Sequence, residues 1–245
     1  MGKTFTAIAL SSAMVVAGAA GALAATLDFT ALSTFTTGGA TATKSGASGT
    51  FQGVSWSLTP SAKPISYNFG APATGALLGN LSKNQNQGFD GVAKPVGTGL
   101  ALEGDGVGVG DDEITHEADQ YVTLTFGKAV TISAFHFLDL FYGTVRGKGA
   151  EVAQVWDTAT NTLLASFSAD QEVTANAIGG YKFGALDGTI KVTSLTFKAG
   201  GAKDDNNRDF SLAAVDIAAV PVPAAGLLLL TAVGGLAAAR RRKSA

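Results

Sequence analysis

Apolar and polar residues alternate along much of the C-terminal half of the chain. Val122, Leu124 and Phe126 fall on one face of an extended segment, with threonines between them on the other face. A period of two in β-favouring residue types predicts a strand with one buried face. The same reasoning predicts further strands at residues 130–138, 151–156, 162–167, 171–175, 181–186, 189–197 and 210–217.

Turn and bulge signals interrupt this pattern. Residues 126–129 predict a turn, and the Asp-Gly pair at 187–188 predicts a tight β-hairpin. The face that carries the apolar residues changes near Ser194 and again within residues 210–217. Because one extra residue reverses the facing of every later side chain, we expect β-bulges at both places.

The N-terminal half has a weaker pattern. Strands are predicted at residues 27–31 and 50–58, and residues 70–99 form a long connection without clear periodicity. No long helical pattern occurs between the two ends of the chain. Many short strands with turn signals predict an all-β fold, an antiparallel β-sandwich of jelly-roll type, in one domain at residues 25–219.

The N terminus has the features of a secretory signal. Lys3 precedes an apolar, alanine-rich run at residues 8–24, which closes on a small-x-small pattern at Ala24. This order is typical of a signal peptide. We therefore expect residues 1–24 to form a signal helix that is removed after Ala24, with Ala22 or Ala25 as nearby alternative cleavage points. An uncleaved membrane helix is the other alternative.

The C terminus combines a proline-containing motif, an apolar run and a basic cluster. The motif comprises Val220, Pro221, Val222, Pro223 and Ala224. The basic cluster comprises Arg240, Arg241, Arg242 and Lys243. Residues 225–239 between them carry no charge, and they approach the roughly 20 apolar residues that span a bilayer. A transmembrane helix with a cytoplasmic C terminus is expected, with a buried core helix or a permanent tail anchor as alternatives.

This C-terminal arrangement resembles the VPLPA-type variant of the PEP-CTERM protein-sorting signal. Val222 stands where that variant usually has leucine, an apolar exchange. The resemblance implies Sec export from a Gram-negative bacterium and recognition of residues 220–224 by an exosortase-like membrane peptidase. It also implies a transient membrane helix at 225–239, stopped by the basic residues 240–243. Residues 108–140 are in addition similar to the core of many PEP-CTERM β-sandwich proteins.

Composition narrows the choice of function. The chain has no cysteine, which excludes disulfides and thiolate metal sites. Five of its 17 basic residues lie in the two end segments, so residues 25–219 hold 12 basic and 19 acidic residues and a net charge near −7. A domain this acidic lacks the basic footprint that nucleic-acid binding needs, so no nucleic-acid partner is expected.

An acidic, glycine-rich stretch offers a candidate metal site. Its carboxylates are Glu103, Asp105, Asp111, Asp112 and Glu113. Ca²⁺ prefers about six to eight oxygen ligands on a flexible backbone, so the stretch is a candidate for Ca²⁺, with a solvated acidic loop as the alternative. A second acidic loop at residues 203–209 matches part of an EF-hand but has Phe210 where the motif needs glycine, so a polar turn is expected there.

The sequence carries no positive sign of catalysis. The two histidines, His116 and His136, are too few for a zinc site without cysteine, and no Gly-x-Ser-x-Gly motif occurs. His136 lies in a predicted strand and is expected to be a packed or surface imidazole. Aromatic residues stack on sugar rings where they are exposed, although most serve the core. The candidates are Trp56, Trp156, Tyr67, Tyr121, Tyr142 and Tyr181.

Two functions fit these patterns. The first, which the sorting resemblance implies, is a non-enzymatic protein of the cell surface or extracellular matrix, structural or adhesive, with exopolysaccharide of a biofilm matrix as a partner. It would be exported, anchored briefly in the inner membrane, and then held at or released from the cell surface. The second is a carbohydrate-binding β-sandwich module with structural calcium.

Overall fold

The described part of the chain belongs to one compact unit, Leu23–Ala219. The computed structural model describes residues 24–36, 41–43, 46–61, 65–69, 89, 91–110, 113–116, 119–143, 149–172, 178–201 and 208–218. No helix within these residues is long and apolar enough to cross a membrane. The expected signal helix and the segment 220–245 lie outside the described residues, so both stay predictions.

Strands make up most of the described residues, and the only helix among them is α1 (Leu32–Thr36). The strands are β1 (Ala25–Asp28), β2 (Thr41–Thr43), β3 (Gly46–Phe51), β4 (Val54–Pro60), β5 (Ile65–Phe69), β6 (Gly104–Val109), β7 (Tyr121–Leu138), β8 (Phe141–Tyr142), β9 (Val152–Asp157), β10 (Thr162–Ser168), β11 (Gln171–Glu172), β12 (Lys182–Gly200) and β13 (Ser211–Ala218). Their pairings are antiparallel, apart from the short parallel pair of β8 with β11. The predicted all-β, antiparallel class is confirmed.

Two long strands, β7 and β12, run side by side and organise the sheet. The turn predicted at residues 126–129 and the hairpin predicted at 187–188 are both wrong, because one strand continues through each place. Residues 126–129 of β7 lie opposite only Thr193 of β12, and residues 186–189 of β12 lie opposite only Ser133 of β7. Each strand therefore makes a four-residue excursion from the ladder without reversing its direction.

The excursions divide the sheet into two arms. The first arm has the strand order β2-β3-β4-β7-β12-β9-β10 and uses residues 121–126 of β7. In the second arm, β13 pairs with residues 131–138 of β7, carries β1 and β6 on its other side, and β5 lies beyond β6. Only β7 and β12 take part in both arms, so the described sheet depends on their continuity.

The two predicted β-bulges are confirmed. The register shifts between Val192 and Ser194 on β12 and between Leu212 and Ala214 on β13. Val192 and Leu195 are both buried although they are three positions apart. A strict period of two would place them on opposite faces, so the bulge is what keeps both in the core.

The single strand predicted at residues 50–58 is instead a hairpin. β3 ends at Phe51 and β4 begins at Val54. Gln52 and Gly53 have φ angles of 49° and 72°, the left-handed values of a two-residue hairpin turn. The polar residue followed by glycine was the local signal for this turn.

The inner faces of the two arms share one hydrophobic core. Phe135 of the second arm meets Phe197 of the first arm edge to face, with ring centroids 5.8 Å apart. Trp56 of β4 meets Phe29, which follows β1, in the same geometry at 5.7 Å. Aromatic pairs of this kind add about 0.5–1.5 kcal/mol beyond the burial of their area. Ring contacts therefore join the two arms at two separate places.

Candidate functional site

The stretch predicted to bind Ca²⁺ does not form a flexible loop over its whole length. Residues 104–109 are strand β6, every residue of which is buried, and Asp105 is only 1% exposed. Glu103 is exposed, and its Oε2 accepts a hydrogen bond from the N–H of Leu32 at 2.7 Å. Glu103 therefore caps the start of α1.

The other proposed calcium ligands are divided between described and undescribed positions. Glu113 is partly buried, and its carbonyl accepts the N–H of Val109 at 2.9 Å, whereas Asp111 and Asp112 lie outside the described residues. Among the residues that the structure does describe, no group of three or more acidic or histidine side chains could hold a metal ion. Calcium at this stretch stays a prediction that depends on Asp111 and Asp112.

Strand β6 was missed because its acidic and glycine residues obscured a short alternation of valines. Val107 and Val109 are fully buried, and Gly106 has a φ of 110°. A Cβ atom at Gly106 would collide with the backbone carbonyl of Leu212 on β13. The glycine therefore serves a close approach of two strands, which explains its place without a metal.

A pair of carboxyl groups, Glu151 and Asp209, lies where the segment before β13 meets the start of β9. Glu151 Oε2 accepts the N–H of Phe141 at 2.6 Å, and the Glu151 side chain is hydrogen-bonded to Asp209. The pKa of Glu151 is raised to about 9, mainly by burial and also by the nearby Asp209 carboxylate, against the lowering effects of the Phe141 N–H and Arg208. Glu151 therefore keeps its proton at neutral pH and can donate it to a hydrogen bond with Asp209.

Hydrogen bonds to backbone carbonyl groups hold the same region in place. The N–H of His116 donates to the carbonyl of Arg208 at 2.9 Å, and His116 Nδ1 lies 2.9 Å from the carbonyl oxygen of Ala199. Arg208 Nη1 donates to the carbonyl of Gly200 at 3.4 Å. These bonds attach the segment before β13 to the end of β12. The polar turn predicted at 203–209 lies mostly outside the described residues and stays a prediction. Sequence reasoning did not find the carboxyl pair, because its two members come from distant parts of the chain.

His136 is a packed imidazole, one of the two environments expected for it, and is 3% exposed. Its Nδ1 lies 2.8 Å from the hydroxyl of Tyr181. Its Nε2 lies 3.3 Å from Asp216 Oδ2, which is close enough for an ion pair but lacks hydrogen-bond alignment. Burial, with the Asp216 charge second, raises the pKa of Tyr181 to about 12. The Tyr181 hydroxyl therefore holds its proton and is poorly suited to act as a base or nucleophile.

Hydroxyl side chains cover the outer side of the first arm, which we call the hydroxyl face. Strand register aligns them across β3, β4, β7 and β12. They are Ser48, Thr50, Ser55, Ser57, Thr59, Thr123, Thr125, Ser194 and Thr196. Thr125 and Ser194 lie 3.1 Å apart, and Thr158 and Thr196 lie 2.9 Å apart, each as a hydroxyl pair. A hydroxyl has one donor and two acceptor positions, so exposed members keep capacity for an external partner.

The aromatic candidates for sugar stacking fall into different environments. Trp56 and Tyr67 are core residues, which is the usual role of such side chains. Tyr142 is 42% exposed on β8, which pairs with β11 in a separate two-stranded sheet. Tyr121 and Trp156 both lie on the outer side of the first arm, beside the hydroxyl face. The structure thus brings together two of the six candidates.

Lys198 lies between these two aromatic rings and was not singled out by the sequence. Its Nζ is 5.7 Å from the Tyr121 ring centroid and 5.1 Å from that of Trp156. Across the residues that the structure describes, Lys198 forms no ion pair. The polar run at Ser194, Thr196 and Lys198 signalled an outer face, but only the strand register shows which rings flank the lysine.

Comparison with protein-family models gives no match, and comparisons with the curated proteins and with the solved structures give none either. The function proposed below therefore rests on the residues of the chain itself.

Proposed function

We propose that the chain is an exported, non-enzymatic protein of the cell surface or extracellular matrix with a structural or adhesive role. Residues 1–24 direct Sec export, and residues 220–245 hold the protein in the inner membrane until an exosortase-like peptidase processes it. The observation that carries the proposal is the order at the C terminus, a proline-containing motif, an uncharged run and four cations. Cations directly after an uncharged run are what orients a membrane helix, and a soluble core helix has no need of them.

We infer that residues 25–219 form a β-sandwich of jelly-roll type as the exported body. The inference is supported by the shared core of the two arms and by the bends of β7 and β12 between them. Neighbours within each arm are distant in sequence, since β4 and β13 both pair with β7. Such pairings are typical of Greek-key connections.

The adhesive role is supported by the hydroxyl face. Polysaccharides present many hydroxyl groups, and a surface with matching donors and acceptors binds them by hydrogen bonds. The body is also free of cysteine, so its folding outside the cytoplasm does not depend on oxidation. Exopolysaccharide is therefore the partner that we propose for the matrix role.

The second candidate is a carbohydrate-binding module with one defined glycan site and a structural Ca²⁺. Tyr121 and Trp156 on one side of the first arm favour a glycan site. The calcium part is tested by melting curves in millimolar Ca²⁺ and in chelator, because an ion that binds only the folded state must raise the midpoint. Equal midpoints would remove Ca²⁺ from the proposal.

Mass spectrometry of the protein isolated from its own cells tests the leading proposal. We expect a first residue of Ala25 and the loss of residues that follow the motif at 220–224. A variant with Pro221 and Pro223 replaced by alanine should keep residues 225–245 and stay in the membrane fraction. Replacement of Pro95, which lies in the body, is the matched control and should leave processing intact. Cytosolic protein with both termini intact would refute the proposal.

A further inference from the structure

We propose that Tyr121, Trp156 and Lys198 form a binding site for the carboxylate groups of an acidic polysaccharide, one that contains uronic acid units. We call these three residues the aromatic–lysine site. The inference rests on the proposed matrix role and specifies the chemical class of its polysaccharide partner.

The strand register holds the three side chains together. Lys198 on β12 lies directly opposite Tyr121 on β7 and Gln154 on β9, and Trp156 lies one outward-facing position along β9. Trp156 Nε1 donates to Gln154 Oε1 at 3.2 Å, which orients the amide and leaves its NH₂ group for another acceptor. Since two rings flank the lysine side chain, less conformational freedom is lost when a ligand binds.

Charge selects an anion as the ligand. Lys198 has ring contacts but no carboxylate partner in the described part of the chain. The aligned outward positions of β3, β4, β7, β9 and β12 in the first arm contain no Asp or Glu. Residues 25–219 as a whole carry a net charge near −7. The net charge of the body therefore disfavours an anion in general, and Lys198 supplies a local attraction at these rings.

The neighbouring hydroxyls indicate a sugar polymer. One row of opposed residues runs from Trp156 through Thr196 and Thr123 to Thr59, and the next runs from Ser194 through Thr125 to Ser57. Strands lie about 4.8 Å apart, so these rows extend the contact well beyond one sugar unit. A nucleic acid would need many cations along its backbone, and this face offers a single lysine between the rings.

Binding of polygalacturonate, a polyuronate, to the full chain in a mild detergent tests the proposal. Dextran serves as the neutral polysaccharide and single-stranded DNA as the other polyanion, and titration calorimetry gives the affinities. Lys198→Gln should weaken polygalacturonate binding at least about tenfold, the loss expected for one charge-assisted hydrogen bond, whereas Lys198→Arg should retain it. Lys191→Gln is the matched control, because Lys191 is an exposed lysine of the same strand without a ring contact.

Tryptophan fluorescence gives a second measurement. The chain has two tryptophans, and Trp56 is 3% exposed, so a ligand at the site changes mainly the emission of Trp156. Polygalacturonate should shift or quench this emission in the wild type, and the change should disappear in Trp156→Phe. A melting curve for each variant shows that the body is still folded.

Equal binding by Lys198→Gln and wild type, or an equal loss in Lys191→Gln, would overturn the proposal. Dextran binding as tight as polygalacturonate binding, or binding of DNA alone, would also overturn it. Failure of C-terminal processing in cells would refute the matrix role without changing these affinities. The two failures are therefore distinguishable.

Discussion

The wild-type protein is expected to lose stability as the pH rises, and replacing Glu151 by glutamine is expected to prevent this loss. In the folded protein, burial and the nearby Asp209 raise the pKa of Glu151 from its ordinary 4.5 to about 9. The folded state therefore holds a proton on Glu151 over a pH range in which the unfolded chain releases it. The stability that this proton supplies is fully present below pH 4.5 and is lost as the pH rises through about 9.

The size of this effect follows from the pKa difference. One pKa unit corresponds to about 1.4 kcal/mol, so the loss of stability between the ordinary pKa of Glu151 and neutral pH has an upper limit of about 3 kcal/mol. Glu151 is partly exposed and shares a hydrogen bond with Asp209. Solvent screening and the shared proton reduce the expected loss to about 2 kcal/mol. Glutamine carries no titratable proton and can still donate to Asp209, so the variant should not lose stability in this way.

Urea unfolding of the full chain measures the effect, in mild detergent at pH 5, 7 and 9. Tryptophan emission reports the unfolding, because Trp56 is buried in the folded state. The wild-type midpoint should fall from pH 5 to pH 9, and the Glu151→Gln midpoint should stay nearly constant. Glu172→Gln is the matched control, because Glu172 is an exposed carboxylate, and it should follow the wild type. A constant wild-type midpoint, or a parallel fall in Glu151→Gln, would show that Glu151 does not hold a proton in the folded state.

Two further predictions concern the packing of the body, each measured by the urea midpoint. Gly106→Ala should destabilise the fold by about 1–3 kcal/mol or more, because φ is 110° and the new Cβ meets the Leu212 carbonyl. Gly188→Ala is the control and should cost less, because φ is 100° there but nothing lies within 4 Å of the new Cβ. Equal losses in the two variants would exclude the collision as the cause. Phe135→Ala should lower the free energy of unfolding by about 3–5 kcal/mol, because the ring is fully buried. Phe183→Ala, at a 48% exposed position, should lower it by less than about 1 kcal/mol. Similar losses would mean that Phe135 does not join the arms.

Alternation of apolar and polar residues was enough to predict where most C-terminal strands lie and where both bulges occur. It could not show that β7 and β12 continue through residues 126–129 and 187–188. Glycine in a local sequence signals a positive φ angle, which a hairpin uses and which the excursion at Gly188 uses as well, at 100°. The choice between them depends on whether the flanking segments pair with each other or with a third strand, and β7 supplies that third strand for β12. Long-range pairing therefore decided what the local signal meant.

The candidate site shows the same limit. The acidic stretch at residues 103–113 was interpreted by its composition, whereas the buried valines of β6 determine its structure. The alternation at Ile65, Tyr67 and Phe69 was present in the sequence and was missed inside a poorly patterned half. Tyr121 and Trp156 were candidates from the start, but their shared lysine was found only through the register of three strands.

The distribution of polar chemistry over the body is compatible with the binding role proposed above. The groups with perturbed acidity hold their protons, since burial raises the pKa of both Glu151 and Tyr181. The proton on Glu151 is engaged by Asp209, and the Tyr181 hydroxyl lies in contact with His136. Lys198, by contrast, has no ion-pair partner in the described residues, and it lies beside rings and hydroxyls among aligned outward strand positions that carry no Asp or Glu. We therefore expect the body to recognise an extended, hydroxyl-rich anion, as the proposed place in an acidic polysaccharide requires.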